Sequence, residues 1–220
     1  MNKKYIKFLF YVLPSMIFVT VSFNNCGRYG ELPVSEDFSS TSGGTVQETD
    51  SEKLGIPYAL LSAEQTMASM MRVTNVTAVS TALSSEYNNR YGALAAGNDL
   101  SMANGPLMLS ATSLAGEVCN SLLTTEKAQA AAQRAFFGSV NFAAGVSSLT
   151  DAAFESSVRG MARSYWGRNI SMEELALLQG YKTEFIAALA AAARTQAAST
   201  NGLMLSTCAA MLSSFDAITY

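Results

Sequence analysis

The sequence predicts an all-α protein, a bundle of six or seven helices that occupies residues 56–220. From residue 56 onward the chain is dominated by Ala, Leu, Met and Ser, with few prolines and little of the alternation that marks β-strands. Residues that favour helix N-termini recur along this part and are separated by short segments containing Gly, Asn or Ser. Helices joined by short loops are the pattern of a helical bundle.

The first predicted helices begin at recognisable capping residues. Ser62-Ala-Glu-Gln65 is a capping box, in which Ser62 and Gln65 each accept the other's free backbone N–H. Residues 72–90 are ambiguous, because β-branched residues interrupt the helical spacing there. Pro106 suits the first turn of the next helix, since its ring fixes a helical φ and it has no N–H to leave unbonded.

Two more helices are predicted in the middle of the domain. Thr124 or Thr125 could cap a helix that begins at the following glutamate and ends at Gly138. Thr150 is the predicted N-cap of the next helix, because an aspartate and an apolar periodic stretch follow it. Gly167 is its predicted stop.

The clearest predicted helix begins at Ser171, where Ser171-Met-Glu-Glu174 forms a second capping box. The helical pattern then continues through an alanine-rich stretch to Ala198. Its apolar residues recur at steps of three and four and predict one buried stripe, formed by Leu178, Tyr181, Phe185, Leu189 and Ala192. Asn201 is the predicted cap of the last helix.

Residues 1–25 have the layout of a secretory signal peptide. Three lysines in Met1–Lys7 precede 16 uncharged residues, Phe8–Phe23, and a polar pair follows them at once. A transmembrane helix needs about 20 apolar residues, and Pro14 would interrupt a helix in mid-span. A retained membrane anchor is the alternative interpretation.

Two processing routes are open at the end of this segment. The stretch Phe23-Asn24-Asn25-Cys26 resembles the bacterial lipobox, which implies a mature protein that begins with a lipid-modified Cys26. The small residues Thr20 and Ser22 also allow cleavage after Ser22, which would release a soluble protein. We expect the lipid-anchored form, and Gly27, in place of aspartate, favours the outer membrane over the inner one.

Residues 26–55 are predicted to be a flexible tether between the lipid and the helical domain. They are rich in Ser, Thr, Gly and Glu and contain few aliphatic residues. Such a segment cannot bury enough apolar surface to offset the entropy of ordering it. The expected domain organisation is therefore signal peptide 1–25, tether 26–55 and α-helical domain 56–220.

The two cysteines of the helical domain form a candidate disulfide. Cys119 and Cys208 remain as an even pair once Cys26 carries a lipid, and export places them in an oxidising compartment. Each lies inside an apolar helical stretch and is expected to face the core. Two buried thiols that never meet are the alternative; a disulfide would require their helices to be packed neighbours.

Composition excludes several classes of function. The chain has no histidine, so it has no Ser-His or Cys-His nucleophile pair and no site for covalent c-type haem. No metal-ligand or nucleotide-binding pattern is present, and we expect neither metal nor cofactor. The formal net charge of −3 and the absence of a basic run also argue against nucleic acid as a partner.

A few charged residues could still form a site. Glu155, Arg159 and Arg163 follow one another at four-residue steps, which predicts a solvated ladder of ion pairs on one helix face. The alternative adds Trp166 and Arg168 at the end of that helix as a basic and aromatic patch for an acidic partner or a lipid headgroup.

The segment Met161-Ala-Arg-Ser-Tyr-Trp-Gly-Arg-Asn-Ile-Ser-Met-Glu-Glu-Leu175 resembles helical domains of large exported bacterial proteins that occur beside c-type cytochrome modules. In those domains two helices join at a junction with an aromatic-x-Arg motif followed by Ser or Thr, any residue and then Glu-Glu. The likeness covers about residues 150–220. It implies an exported, all-helical domain of mostly unknown function, and it transfers no catalytic residue.

These observations predict a lipid-anchored envelope protein with a non-enzymatic helical interaction or scaffold domain. Residues 56–220 carry only 9 basic and 11 acidic residues, a thin charge covering that favours a protein partner or self-association. The alternative is a helical receptor or enzyme that uses scattered charges. A deep cavity lined by two or more of Glu117, Glu155, Arg159 and Arg163 would favour that alternative.

Overall fold

The computed structural model describes residues 60–94 and 105–219, and these residues form an all-α bundle. The eight α-helices of this part are α1 Ala63–Val73, α2 Thr81–Arg90, α3 Gly105–Ala128, α4 Asp151–Tyr165, α5 Met172–Ala188, α6 Ala191–Arg194, α7 Ala197–Leu212 and α8 Phe215–Ile218. Six of them have ten residues or more, while α6 and α8 are single turns. The predicted fold class is confirmed. The predicted signal peptide, tether and Cys26 lie outside the described residues.

Helices α3 and α7 form the centre of the bundle and pack along each other. Cys119 of α3 and Cys208 of α7 are joined in a disulfide, with Cα atoms 5.9 Å apart and both side chains fully buried. The expected packing of these two helices is therefore confirmed, and α7 closes the bundle. The Tyr165 hydroxyl lies 3.4 Å from the Cys208 Sγ. Burial, helped by the charge of Glu126, raises the pKa of Tyr165.

The capping signals of the sequence mark real helix starts. Ser62 and Ser171 both form complete capping boxes, with Gln65 and Glu174 at the third helical position. The Thr150 hydroxyl accepts the backbone N–H of Ala153 at the start of α4. Gly167 has φ of +64° directly after α4, a conformation that glycine adopts without strain. These predictions needed only residues that are close in sequence.

The ambiguous residues 72–90 contain the end of one helix and the whole of the next. Helix α1 ends at Val73, and Asn75 follows with φ of +58°. The Ser80 hydroxyl then accepts the backbone N–H of Leu83 and begins α2. The intervening loop passes beside α3.

The predicted helix from Thr124 or Thr125 to Gly138 is wrong. Helix α3 runs without a break to Ala128, and both threonine hydroxyls donate to backbone carbonyls one turn earlier instead of capping a new helix. A loop follows α3, with short 3₁₀ turns at Ala131–Gln133 and Val146–Ser148.

A buried carboxylate holds this loop in place. Glu126 is 3 % exposed, and its two oxygens accept the backbone N–H groups of Ala135, Phe136 and Phe137 at 2.9–3.4 Å. In a helix these three N–H groups would donate to backbone carbonyls; here they donate to the Glu126 carboxylate instead. The rings of Phe136 and Phe137 pack in or against the core.

The long helix predicted from Ser171 to Ala198 is divided. Helix α5 ends at Ala188, and Leu189 adopts extended backbone angles. Asn201 is not a cap, because α7 begins four residues earlier with Gln196 at the N-cap. The side-chain oxygen of Asn201 is buried without a hydrogen-bond partner in the described structure.

The loop before α4 holds the chain between α6 and α7. The backbone N–H of Val146 donates to Ser199 Oγ at 3.0 Å, and Thr200 Oγ1 donates to the carbonyl of Ala144 at 2.8 Å. Gly145 lies between these two bonds, against the backbone of Arg194 and Thr195. The alanine-rich stretch is therefore fixed by residues about 50 positions earlier in the chain.

Helix α5 is attached to the start of α4 by a buried lysine. Lys182 is 5 % exposed, and its Nζ donates at 2.8 Å both to the Leu149 carbonyl and to Asp151 Oδ1. The hydrogen bond and the charge of Lys182 lower the pKa of Asp151. The ammonium group also lies 5.6 Å from the centre of the Phe154 ring. A buried amine thus has a carboxylate, a carbonyl and an aromatic face as partners.

Candidate functional site

Trp166 and Arg168 form a junction between the ends of four helices, α4, α5, α7 and α8. The Trp166 Nε1–H donates to Ser214 Oγ at 2.7 Å and to the Met211 carbonyl at 3.1 Å, which joins the end of α4 to the end of α7. The Arg168 guanidinium lies 5.0 Å from the centre of the Trp166 ring. It forms ion pairs with Glu174, at 2.6 Å, and with Asp216.

The charge of Arg168 is neutralised within this junction. Hydrogen bonds from Arg168, with a further one from the Ser171 backbone N–H, lower the pKa of Glu174 to about 2. At neutral pH one guanidinium therefore faces two carboxylates. Such a junction offers no net positive charge to an acidic partner, and it is better suited to hold α4, α5 and α8 together.

The other two arginines of the predicted patch lie on the surface of α4. Arg159 is paired with Glu155 at 2.7 Å, as the predicted ladder requires. Arg163 is exposed and makes no ion pair with any residue that the structure describes. The structure thus brings Trp166 and Arg168 together but leaves only Arg163 unpaired among the three arginines. The four residues do not form one free basic surface.

A broad apolar surface lies beside the junction, on α5. Met172 is 83 % exposed and Leu177 is 74 % exposed, although both are large apolar side chains. A groove of about 180 Å³ separates this part of α5 from α7, and its walls are almost entirely apolar. Its lining residues are Trp166, Glu174, Leu177, Leu178, Ala210 and Met211. The surface formed by Met172, Leu177 and this groove is called the α5 face below.

The middle of the α5 face is lined by small side chains. Ala176, Gly180, Thr183 and Ala187 follow one another at helical spacing and are all exposed. A Cβ atom added at Gly180 would meet nothing within 4 Å. Tyr181 is held at the edge of the face, where its hydroxyl donates to Ser206 Oγ at 2.7 Å. Another helix could therefore approach α5 closely along this line.

The apolar stripe predicted for α5 is only partly buried. Leu178, Phe185 and Leu189 pack against the core, but Tyr181 is exposed and Ala192 lies in the separate helix α6. The exposure of Met172 and Leu177 was not predicted from the sequence. The available signal was that apolar residues occur all around α5, so that one neighbouring layer cannot cover them all.

A second groove is polar and lies between the loop after α1 and helix α3. It has a volume of about 430 Å³, and Glu117, Asn120 and Ser121 line one wall. Of the four charged residues named as a possible ligand site, only Glu117 lines it. This groove is therefore not the cavity lined by two or more of those residues that would have favoured a receptor or an enzyme.

No helix in the described ranges is long and apolar enough to cross a membrane. Within residues 60–94 and 105–219, no cluster of three or more acidic or cysteine side chains is arranged to hold a metal ion. No family model, no curated protein and no solved structure matches the chain.

Proposed function

We propose that this chain is an exported bacterial lipoprotein, anchored to the outer membrane by a lipid on Cys26, whose helical domain serves as a non-enzymatic interaction module. The signal-peptide layout and the lipobox-like Phe23-Asn24-Asn25-Cys26 support the anchor. The Cys119–Cys208 disulfide supports export, because disulfides persist in oxidising compartments such as the bacterial periplasm.

The α5 face carries the proposal of an interaction module. Large apolar side chains that stand free in water, beside an apolar groove, are typical of surfaces that bind another protein. The partner that fits best is a second copy of this chain. Helix α5 itself supplies both the large side chains and the small ones between which they could insert.

An antiparallel pair of α5 helices that cross at Gly180 places complementary residues opposite each other. Residues equally far before and after Gly180 then face each other across the two-fold axis. Leu177 lies opposite Thr183 of the second copy, and Met172 lies opposite Ala188, so each large side chain faces a small one. Glu173 and Glu184 face alanines, which avoids the repulsion of like charges.

The self-association is tested by cysteine cross-linking in the membrane of the producing cell. Gly180→Cys places a thiol on the proposed two-fold axis, and mild oxidation should give a dimer on a non-reducing gel. Leu109→Cys is the matched control, because Leu109 is 72 % exposed but belongs to α3. A dimer with neither variant, or equally with both, would contradict the proposed pairing. A Gly180→Cys adduct with a different protein would replace the second copy by that partner.

The anchor is tested separately by mass spectrometry of the mature chain. The expected N-terminal residue is a Cys26 that carries acyl groups. Cys26→Ser should abolish both the added mass and the recovery of the protein in the membrane fraction. A mature chain that begins at Phe23 without acyl mass would refute the anchor and leave the α5 face unaffected.

A further inference from the structure

The polar groove beside α3 has features of a ligand site that the α5 face does not share. One wall is a helix face, on which Glu117, Asn120 and Ser121 recur at steps of three and four residues. The facing wall is the loop between α1 and α2, which contributes Asn75 and Thr77. Each of these five residues carries an oxygen that can accept a hydrogen bond, and four of them can also donate.

These side chains are not used inside the described part of the fold. Asn75, Thr77, Asn120 and Ser121 have no side-chain hydrogen bond to any described residue, and Glu117 has no ion pair there. The bonds that these residues do make are main-chain ones: the carbonyls of Asn120 and Ser121 accept the hydroxyls of Thr124 and Thr125, and the Asn75 N–H donates to the Arg72 carbonyl. The groove therefore presents several free donors and acceptors together.

We propose that this groove binds a neutral, hydroxyl-rich ligand, a saccharide. Hydroxyl groups both donate and accept, as do the amides and hydroxyls of the two walls, so a saccharide can pair with many of them at once. Among the described residues that line the groove, the aliphatic side chains are Val76, Ala78 and Ala82, and none is aromatic. A peptide that needs pockets for large apolar side chains fits this groove less well.

A cationic amine is the other ligand that Glu117 could attract, and the geometry disfavours it. Within the described ranges, Glu117 is the one charged residue that lines the groove, and it is partly exposed. An exposed ion pair of this kind contributes little, because water screens it. The neutral hydrogen-bonding groups of the groove outnumber Glu117, and together they contribute more binding free energy than one exposed ion pair. Without an aromatic ring for a sugar to stack on, we expect weak binding, with Kd on the order of 1 mM.

The experiment uses the full chain, purified in a detergent that has no sugar headgroup, and saturation-transfer NMR with maltotriose, tri-N-acetylchitotriose and spermidine as probes. Saturable binding of at least one trisaccharide is expected. Asn120→Ala should weaken it about fivefold, the effect of one lost hydrogen bond. Glu117→Gln, which keeps the shape and a hydrogen-bonding oxygen, should weaken it less.

Asn88→Ala is the matched control, because Asn88 is exposed on α2 and does not line this groove. Trisaccharide binding that survives Asn120→Ala unchanged, or that falls equally with Asn88→Ala, would overturn the proposal. So would binding of spermidine alone, lost with Glu117→Gln, or no saturable binding of either trisaccharide. Since the groove shares no residue with the α5 face, these outcomes leave the proposed self-association untouched.

Discussion

Gly145 packs so closely against Thr195 that a Cβ atom at residue 145 would overlap the Thr195 backbone, well inside 3.0 Å. The contact joins the loop before α4 to the chain between α6 and α7. Backbone atoms, unlike the end of a flexible side chain, cannot move aside without displacing both segments. Glycine at this position is therefore required by tertiary packing.

Gly145→Ala should destabilise the fold by about 3 kcal/mol, because the added methyl group overpacks a backbone contact. Chemical denaturation of wild type and variant measures this loss. The control is Gly116→Ala in the middle of α3, where an added Cβ meets nothing within 4 Å. That variant should gain up to about 1 kcal/mol from the higher helix propensity of alanine. Equal effects at the two positions would contradict the packing argument.

Reduction of the Cys119–Cys208 disulfide should cost on the order of 4 kcal/mol, because the bridge closes a loop with a sequence separation of 89 residues. The measurement is urea unfolding with and without a reductant. The Cys119→Ala/Cys208→Ala double variant should lose similar stability and should not respond to the reductant. A wild type whose unfolding is unchanged by complete reduction would argue against a stabilising bridge.

Glu126→Gln should destabilise the protein by about 2 kcal/mol, because the three backbone N–H groups of the loop after α3 lose a charged acceptor. Hydrogen exchange should also quicken at Ala135, Phe136 and Phe137. Glu184→Gln is the control, since Glu184 is exposed on α5, and its effect should stay within about 0.5 kcal/mol. Unchanged exchange in the loop would show that Glu126 does not hold it.

The Glu174–Arg168 contact should make stability depend on acid pH. The pKa of Glu174 is lowered from 4.5 to about 2, so between these values the folded chain binds fewer protons than the unfolded chain. The stability from this contact is therefore complete above about pH 4.5 and is lost as the pH falls toward 2. Unfolding midpoints in urea at several pH values between 7 and 2.5 measure the change.

Glu174→Gln should lower stability at pH 7 and flatten its fall below pH 4.5, because the titrating group is gone. Glu173→Gln changes the neighbouring residue of the same helical turn, which forms no ion pair in the described structure, and should keep the wild-type pH dependence. Parallel curves for the wild type and Glu174→Gln would contradict the assigned pKa shift.

Thr207→Val should leave stability unchanged or raise it by about 1 kcal/mol. The Thr207 hydroxyl is fully buried and has no hydrogen-bond partner in the described structure, so a methyl group in its place removes an unsatisfied polar atom. Thr200→Val is the matched comparison in the same helix and should cost about 1–2 kcal/mol, because Thr200 Oγ1 donates to the Ala144 carbonyl. Thermal unfolding distinguishes the two; a large loss at Thr207 would mean that its hydroxyl is paired.

The sequence by itself determined the fold class and most helix starts. The capping residues Ser62, Thr150 and Ser171 act on backbone groups three residues away, and Gly167 acts through its own φ. Such signals are local, so the sequence contains all that is needed to read them. The Cys119–Cys208 pair was also predicted from the sequence. Two cysteines remain after Cys26, export places them in an oxidising compartment, and each lies in an apolar helical stretch that is expected to face the core.

Only the tertiary structure decided where α3 and α5 stop and which apolar residues stay exposed. The region after Ala128 leaves the helix because Glu126 binds N–H groups nine to eleven residues later. The alanine-rich stretch breaks between Arg194 and Ala197, where Gly145 packs against the Thr195 backbone. Helix α5 is apolar all around, so its sequence could not show that Leu177 would face water. Contacts between residues distant in sequence overrode local helix propensity, which amounts to less than about 1 kcal/mol per residue.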